Sequence, residues 1–327
     1  MTTLRSWLAL AAAAACLAGA PQLHAQVGFP AKPVRFITLT PAGGALDILA
    51  RTLAQRLSEQ MGQPFVVENR TGAGGNIGVD AVAKAPPDGY TIGMNTVSTH
   101  GINPTLYGAK MPFDALKDTA PISLAAELKN VVVVHPSVPA KNMQELAAHA
   151  RANPGKLAFG SAGAGTSQHL AGELFSMVAG VKMVHVPYRG AAQAIPDLLS
   201  GQIQLMFVSI PDALPHIRSG KLRAIGVTSL ERSDALPELA PVAEQGFPGY
   251  EVRAWFGVIA PAETPREIVM RYNREIGTAL AQPDVRQRLA SIGLDPVTLS
   301  PDEFTQFIRR EIDKWAKVVK QSGAKVD

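Results

Sequence analysis

The chain predicts an α/β protein of two lobes, and three observations carry that prediction. Short β-branched runs alternate with stretches of helical spacing as far as Met94, and the same alternation starts afresh at Val131. Removing a 25-residue leader from 327 residues leaves 302, more than one core ordinarily supports. From Glu267 onward the chain is mostly helical with no sheet of its own, so it must return to pack on the first lobe.

The first 25 residues are built as an export signal. Arg5 gives the positive start, Trp7 to Ala20 form an apolar stretch, and Pro21 breaks it. Leu23-His24-Ala25 then presents a small residue before a cut at Gln26. The apolar stretch is short for a bilayer, and no second run of about 18 residues follows, so export without an anchor is expected. Cys16, the only cysteine, lies inside this segment, and Ala13-Ala14-Ala15 is a poor approach to a lipid-attachment site. The mature chain then has no cysteine, which excludes disulfides and thiol catalysis. Losing Arg5 lowers the net charge from +4 to +3, a mild excess that suits a small anion. No Lys/Arg run exists and aromatics are few, which argues against nucleic acid.

In order, Val34 to Thr40 predicts a strand, Asp47 to Met61 a helix, and Phe65 to Val67 a second strand. A helix follows around Ile77 to Ala83, then a strand over Tyr90 to Met94. In the second round Val131 to Val134 is a buried strand, and Asn142 to Ala152 an amphipathic helix stopped by Asn153-Pro154-Gly155. Leu157 to Phe159, Val184 to Val186, Leu205 to Val208 and Leu222 to Thr228 are strands, with a helix over Ser167 to Ala179. Glu267 to Leu280, Val285 to Ile292 and Pro301 to Gln321 are helices. Crossings between lobes fall near Leu124 to Asn130 and Gly249 to Gly257. The expected division is therefore 26–126 with 250–327 as one lobe and 127–249 as the other. Two crossings make a hinge with a cleft beneath it.

Two segments share one design. Thr40-Pro41-Ala42-Gly43-Gly44-Ala45-Leu46-Asp47 and Gly160-Ser161-Ala162-Gly163-Ala164-Gly165-Thr166-Ser167 each lie between a strand and a helix. Glycine lets backbone approach a ligand closely, and the helix start offers unpaired N–H groups and a positive dipole end. Each lobe thus carries a candidate anion site. Gly160 and Gly165 have Walker A spacing, but Thr166 stands where lysine is needed. Gly163-Ala164-Gly165 opens a dinucleotide pattern, but Gln168 replaces its third glycine.

Constellations for catalysis are mostly missing. There is no Gly-x-Ser-x-Gly elbow, no His-Glu-x-x-His and no cysteine pair, and the six histidines after the leader are scattered. Ser167 and His169 sit on one helix at a spacing that points them apart. His169 reads first as a packed or capping histidine. No cofactor or metal is implied.

Several further motifs stand in order along the mature chain. They are Pro41-Ala42-Gly43-Gly44 with Asp47, the run Glu68-Asn69-Arg70-Thr71-Gly72-Ala73-Gly74-Gly75-Asn76-Ile77-Gly78, and Pro87-Asp88-Gly89-Tyr90. Gly160-Ser161 through His169-Leu170, Val186-Pro187-Tyr188-Arg189-Gly190, Gly220-Lys221-Leu222-Arg223-Ala224 and Trp255-Phe256-Gly257 continue the series. Together these motifs resemble the Bug family, the periplasmic receptors of tripartite tricarboxylate transporters, and the resemblance covers essentially the whole mature chain. It implies a type II periplasmic binding fold of two α/β lobes, with a ligand carboxylate held between the two turns by backbone N–H groups and bridging waters.

Carried over residue by residue, the resemblance points to Ala42, Gly43, Gly44 and Asp47 on one side and to Ser161, Gly165, Thr166, Ser167 and His169 on the other. The far end of the ligand would meet Ser98, Thr99, His100, Tyr188 and Ser209. Many relatives carry an aspartate near position 208 or 209 that could hold a ligand amino group, and this chain has Val208-Ser209 instead. That departure favours a plain mono-, di- or tricarboxylate or an aromatic acid. The implied partner is a membrane permease of the tripartite type or a sensor protein, served by a monomer. The alternative is an exported hydrolase or lyase acting on a small carboxylic acid. Asn69-Arg70 and Gly72 to Gly78 read first as scaffold, Trp255 either lines the cleft or covers the hinge, and Arg189 either steers the anion or pairs with a surface acid.

Overall fold

The computed structural model describes residues 28–188 and 190–324. The leader with its cleavage point, and Arg189, lie outside the described residues.

Each glycine turn emerges from a buried strand. Strand β1 (Val34–Thr38) runs parallel to β2 (Phe65–Asn69) and to β3 (Thr91–Thr96). Helix α1 (Ala45–Met61) follows β1 and ends at Gly62, whose φ of 72° closes the last turn in a conformation that glycine adopts without strain. Helix α2 (Asn76–Ala83) follows β2. A π-helical turn over Ser98–Ile102 and the short helix α3 (Asn103–Leu106) follow β3.

Strand β4 (Thr119–Val134) is the longest in the molecule among the described residues, and it joins the two halves of the sheet. Its first eleven residues, Thr119 to Lys129, pair antiparallel with β9 (Arg253–Pro261), with register shifts after Pro121 and Leu124. Its last five, Asn130 to Val134, pair with β7 (Leu205–Ser209). The four valines 131–134 are all fully buried, as a β-branched run covered on both faces should be.

The second half repeats the plan of the first. Helix α4 (Met143–Ala152), strand β5 (Ala158–Ser161), helix α5 (Ser167–Ala179) and strand β6 (Val184–Pro187) come in succession. Helix α6 (Ala191–Leu199), β7, helix α7 (Ile210–Arg218) and β8 (Arg223–Val227) complete it. Strand β5 is parallel to β6 and β7. The full order is β2-β1-β3-β9-β4-β7-β5-β6, with β8 and β10 (Leu294–Pro296) also pairing with β4.

The sheet is therefore mixed, because both crossing segments are themselves strands. Leu124 to Asn130 lies within β4, and β9 occupies much of Gly249 to Gly257. Helices α8 (Arg266–Ala281) and α9 (Pro283–Ser291) pack with α1 and β4 in the first half. Helix α10 (Pro301–Ser322) starts with a Ser300–Glu303 capping box and contacts both the π-helical turn and α5, so it serves both halves. Trp255 is fully buried in the apolar cluster they share, which resolves its two readings toward the hinge.

Candidate functional site

The first turn is held from behind. Gly43 adopts φ 89°, open to glycine, and its N–H donates to Asp47 Oδ2 at 2.9 Å. The same oxygen accepts from Arg51 Nε at 2.9 Å, and Asp47 Oδ1 accepts from Asn69 Nδ2 at 2.7 Å. Asn69 Nδ2 also donates to Thr40 O, while its Oδ1 accepts from Arg51. Burial alone would raise the Asp47 carboxyl, but hydrogen bonds from Arg51, the Gly43 N–H and Asn69, with the Arg51 charge, hold it below the usual carboxylate range. Asp47 thus shapes the turn with an oxygen pair already engaged. Among the described residues, the N–H groups of Gly44, Ala45 and Leu46 have no acceptor. Ala42, Gly43 and Gly44 are exposed, so backbone of this turn faces solvent.

The second turn is fastened at both ends by histidines. Ser161 Oγ lies 2.6 Å from His185 Nε2 and also accepts from the Gly163 N–H. The Gly165 N–H donates to His169 Nδ1 at 3.2 Å, and the two imidazoles stack at 3.7 Å between centroids. Thr166 caps α5, accepting from the His169 N–H, and Gln168 Oε1 folds back to the Ala162 N–H. The Gly165 N–H and the Ser161 hydroxyl are thus committed within the turn. Among the described residues, the N–H groups left without an acceptor are those of Ala164, Ser167 and Gln168.

The carboxyl ends of β1, β2 and β3 bring Thr40, Gly72 to Gly75 and Ser98-Thr99 to one edge. The second turn sits against that edge. A Cβ on Gly165 would meet Leu106 Cδ2 at 2.8 Å and Asn103 Oδ1 at 3.2 Å, and one on Gly74 would lie 3.2 Å from Asn103 Nδ2. Asn103 Nδ2 donates to Asn76 Oδ1 at 2.8 Å, and the buried Asn76 Nδ2 has no partner among the described residues. Asn76 and Asn103 were not singled out from the sequence as site residues. Their signal was present in Gly74-Gly75-Asn76, where glycines precede a helix start, but that run reads equally well as close packing.

The remaining candidates occupy supporting places. Thr99 is buried, its hydroxyl bonded to Thr96 and to His100 Nδ1, and His100 Nε2 lies 3.2 Å from Thr119 Oγ1. Burial pushes the His100 imidazole down to about 3. Ser98 begins the π-helical turn and is partly exposed. Tyr188 donates to Asp197 Oδ2 at 2.7 Å, and its phenol is pushed up to about 12 by burial and by that carboxylate. Ser209 caps α7, and its hydroxyl bonds to the carboxylate of Asp212. Asp212 thus places an exposed acid in the first turn of α7, beside Ser209.

Among the described residues, no group of three or more His, Cys, Asp or Glu is placed to hold a metal ion, and no helix is long and apolar enough to cross a membrane. Two surface cavities, of about 440 and 520 Å³, flank Pro112, Phe113 and Asp118 and share no residue with either turn.

A two-lobed α/β molecule, joined by crossing strands and carrying a turn–helix unit on each side, defines a solute-binding protein of the type II periplasmic class. Residues 49–324 match the model of the tripartite tricarboxylate transporter family receptor, and the chain belongs to that family, which includes the Bug proteins. It is 38% identical to BugT of Bordetella pertussis, across 91% of each chain. Among solved structures it is similar to Rpa4515 of R. palustris with adipate, at 36% identity and a TM-score of 0.81, covering 91% of this chain and 100% of that one. It is also similar to MatC from Rhodopseudomonas palustris with bound malate, at 31% identity and a TM-score of 0.76, covering 89% and 100%. The family is one of periplasmic receptors and not of enzymes, which sets aside the hydrolase or lyase reading.

Proposed function

We propose that this receptor captures a small carboxylate, with dicarboxylates the leading class, between the turns at Ala42–Gly44 and Ser161–Ser167. The observation that carries this reading is the set of N–H groups without acceptors among the described residues, at Gly44, Ala45 and Leu46 on one turn and Ala164, Ser167 and Gln168 on the other. Each set lies at a helix start, where the dipole favours negative charge. Adipate and malate in the similar structures support a dicarboxylate.

In this reading residues 1–25 are a signal peptide cut at Ala25-Gln26, and the monomer acts in the periplasm. Residues 26–126 with 250–327 form one lobe and 127–249 the other. Closure adds the second turn to a ligand already held by the first, since only contacts that differ between open and closed forms shift that balance. A tripartite-type permease, or a sensor protein, reads the closed form.

The test is thermal unfolding against adipate, malate, citrate, benzoate and glutamate, using protein refolded free of ligand. A ligand at 100 times its dissociation constant stabilises the native state by about 2.7 kcal/mol, a rise of several degrees. A saturable rise with one or more of these acids is expected. Silence across the whole set overturns the proposal.

A further inference from the structure

The two stacked histidines lie directly behind the second turn, and each holds one end of it. His185 Nε2 meets Ser161 Oγ at 2.6 Å, and His169 Nδ1 accepts the Gly165 N–H at 3.2 Å. The rings are 3.7 Å apart and 13° from parallel, and His185 also packs on Phe159 at 5.1 Å. An imidazole nitrogen accepts a hydrogen bond only while it carries no proton. The shape of the turn therefore depends on a neutral His169 Nδ1.

We propose that His169 and His185 are the positioning residues of the second turn, and that protonation of His169 releases the Gly165 N–H and weakens carboxylate binding as pH falls. The inference rests on the second turn being a carboxylate site. A proton on Nδ1 would face the Gly165 N–H donor to donor, with a second ring stacked 3.7 Å behind it.

The surroundings leave few other titrating groups in contact. On α5, Glu173 Oε1 lies 3.6 Å from His169 Nε2 and favours the Nε2–H form, which leaves Nδ1 free to accept. From β6 the facing group is His185, which burial and the His169 charge hold down to about 3. Strand β5 contributes Phe159 and Ser161, β7 contributes Phe207, and α3 contributes Asn103 and Leu106, none of which titrates. Tyr250 donates to Ala171 O on α5, with burial raising its phenol far above the ordinary range. Helix α10 meets α5 within the apolar cluster that holds Trp315, Val318 and Val319.

The experiment has a ligand-free arm and a ligand arm, both on the mature protein from pH 8 to pH 5. In the ligand-free arm, NMR follows the imidazole nitrogens of His169 and His185 together with the Gly165 amide. The Gly165 amide should shift in step with His169 while His185 stays neutral. A Gly165 amide indifferent to His169 titration overturns the proposal whether or not any ligand binds.

In the ligand arm, calorimetric titration with adipate should show at least a tenfold loss of affinity between pH 8 and pH 5.5. His169→Gln offers a side-chain oxygen that does not titrate, so its affinity, whatever its level, should lose most of that slope. An equal slope in wild type and variant, or tighter wild-type binding in acid, overturns the proposal. If adipate and the other acids fail to bind at any pH, the proposed function falls and the NMR arm alone decides the role of the histidines.

Discussion

The indole Nε1 of Trp255 donates to Glu311 Oε2 at 2.9 Å, tying the crossing strand β9 to the C-terminal helix. Trp315 Nε1 donates to the same oxygen at 3.0 Å, and both indoles are fully buried. One carboxylate therefore satisfies two donors that have no access to water. Glu311→Ala strands both, and an unsatisfied buried donor costs about 1–3 kcal/mol, so a loss of about 3 kcal/mol or more is expected. Glu311→Gln keeps an acceptor in place and should lose less. Denaturant midpoints of the two variants, with unchanged slopes, check the ranking; equal midpoints would show that the indole bonds contribute little.

Much of the architecture was legible because β-branched runs and glycine-bounded helices follow local chemistry. Val131 to Val134 and the turns at Gly43 and Gly165 are of this kind. The first part of β4 was not, since Pro121 and the sequence Leu124-Ala125-Ala126-Glu127-Leu128-Lys129 favour other states. Pairing with β9 imposes the strand there. Helices α6 and α7 carry internal prolines, Pro196 and Pro215, which hid them. At the site, the two turns could be located from glycine spacing, but not which N–H groups they leave free. That depends on Asp47, Gln168 and His169 folding back onto their own turns, and on Asn103 arriving from a distant segment.

The two turn glycines should respond differently to a side chain. Gly165 has φ 77°, and a Cβ there would lie 2.8 Å from Leu106 Cδ2. Gly165→Ala should therefore weaken binding of a dicarboxylate such as adipate at least tenfold, and Gly165→Val more, because the turn can no longer seat against Asn103 and Leu106. Gly43 has φ 89° but nothing within 4 Å of a Cβ. Gly43→Ala should cost about 1 kcal/mol of backbone strain with a smaller loss of affinity. Calorimetry beside circular dichroism of each variant checks this, and equal losses at the two positions would contradict it.

At the hinge, Arg253 reaches three carboxylates: Glu251 at 2.8 Å, Glu127 at 3.0 Å and Glu231 at 3.2 Å. Burial disfavours its charge, but hydrogen bonding to Glu127 and the three acids more than offset this and raise its pKa. Arg253→Met leaves Glu127, mostly buried on β4, without its cation, and a loss of about 2–3 kcal/mol is expected. Glu231→Gln, at an exposed rim carboxylate, should cost less than about 1 kcal/mol. Urea unfolding of both variants tests the contrast, which fails if the rim substitution is the costlier.

Acid should destabilise the receptor well before its carboxylates titrate. His100 and His185 are both held neutral in the native state, down to about 3 in each case, with burial the leading cause. In the unfolded chain a histidine takes its proton near pH 6.5. Between those values the unfolded state binds more protons, so stability is full above about pH 6.5 and falls as pH drops toward 3. Asp47, with its pKa also lowered in the fold, adds a loss of the same sign below the ordinary carboxylate value near 3.8. One pH unit of such displacement corresponds to about 1.4 kcal/mol, so His185 contributes a loss on the order of 1–2 kcal/mol at pH 5. His185→Phe keeps a ring against His169 and removes the titration. Its melting temperature should start lower at pH 7.5, with Ser161 deprived of a partner, yet fall less steeply from pH 7 to pH 4.5 than that of the wild type. Parallel melting curves for the two proteins over that range would show that His185 is not the source of the acid sensitivity.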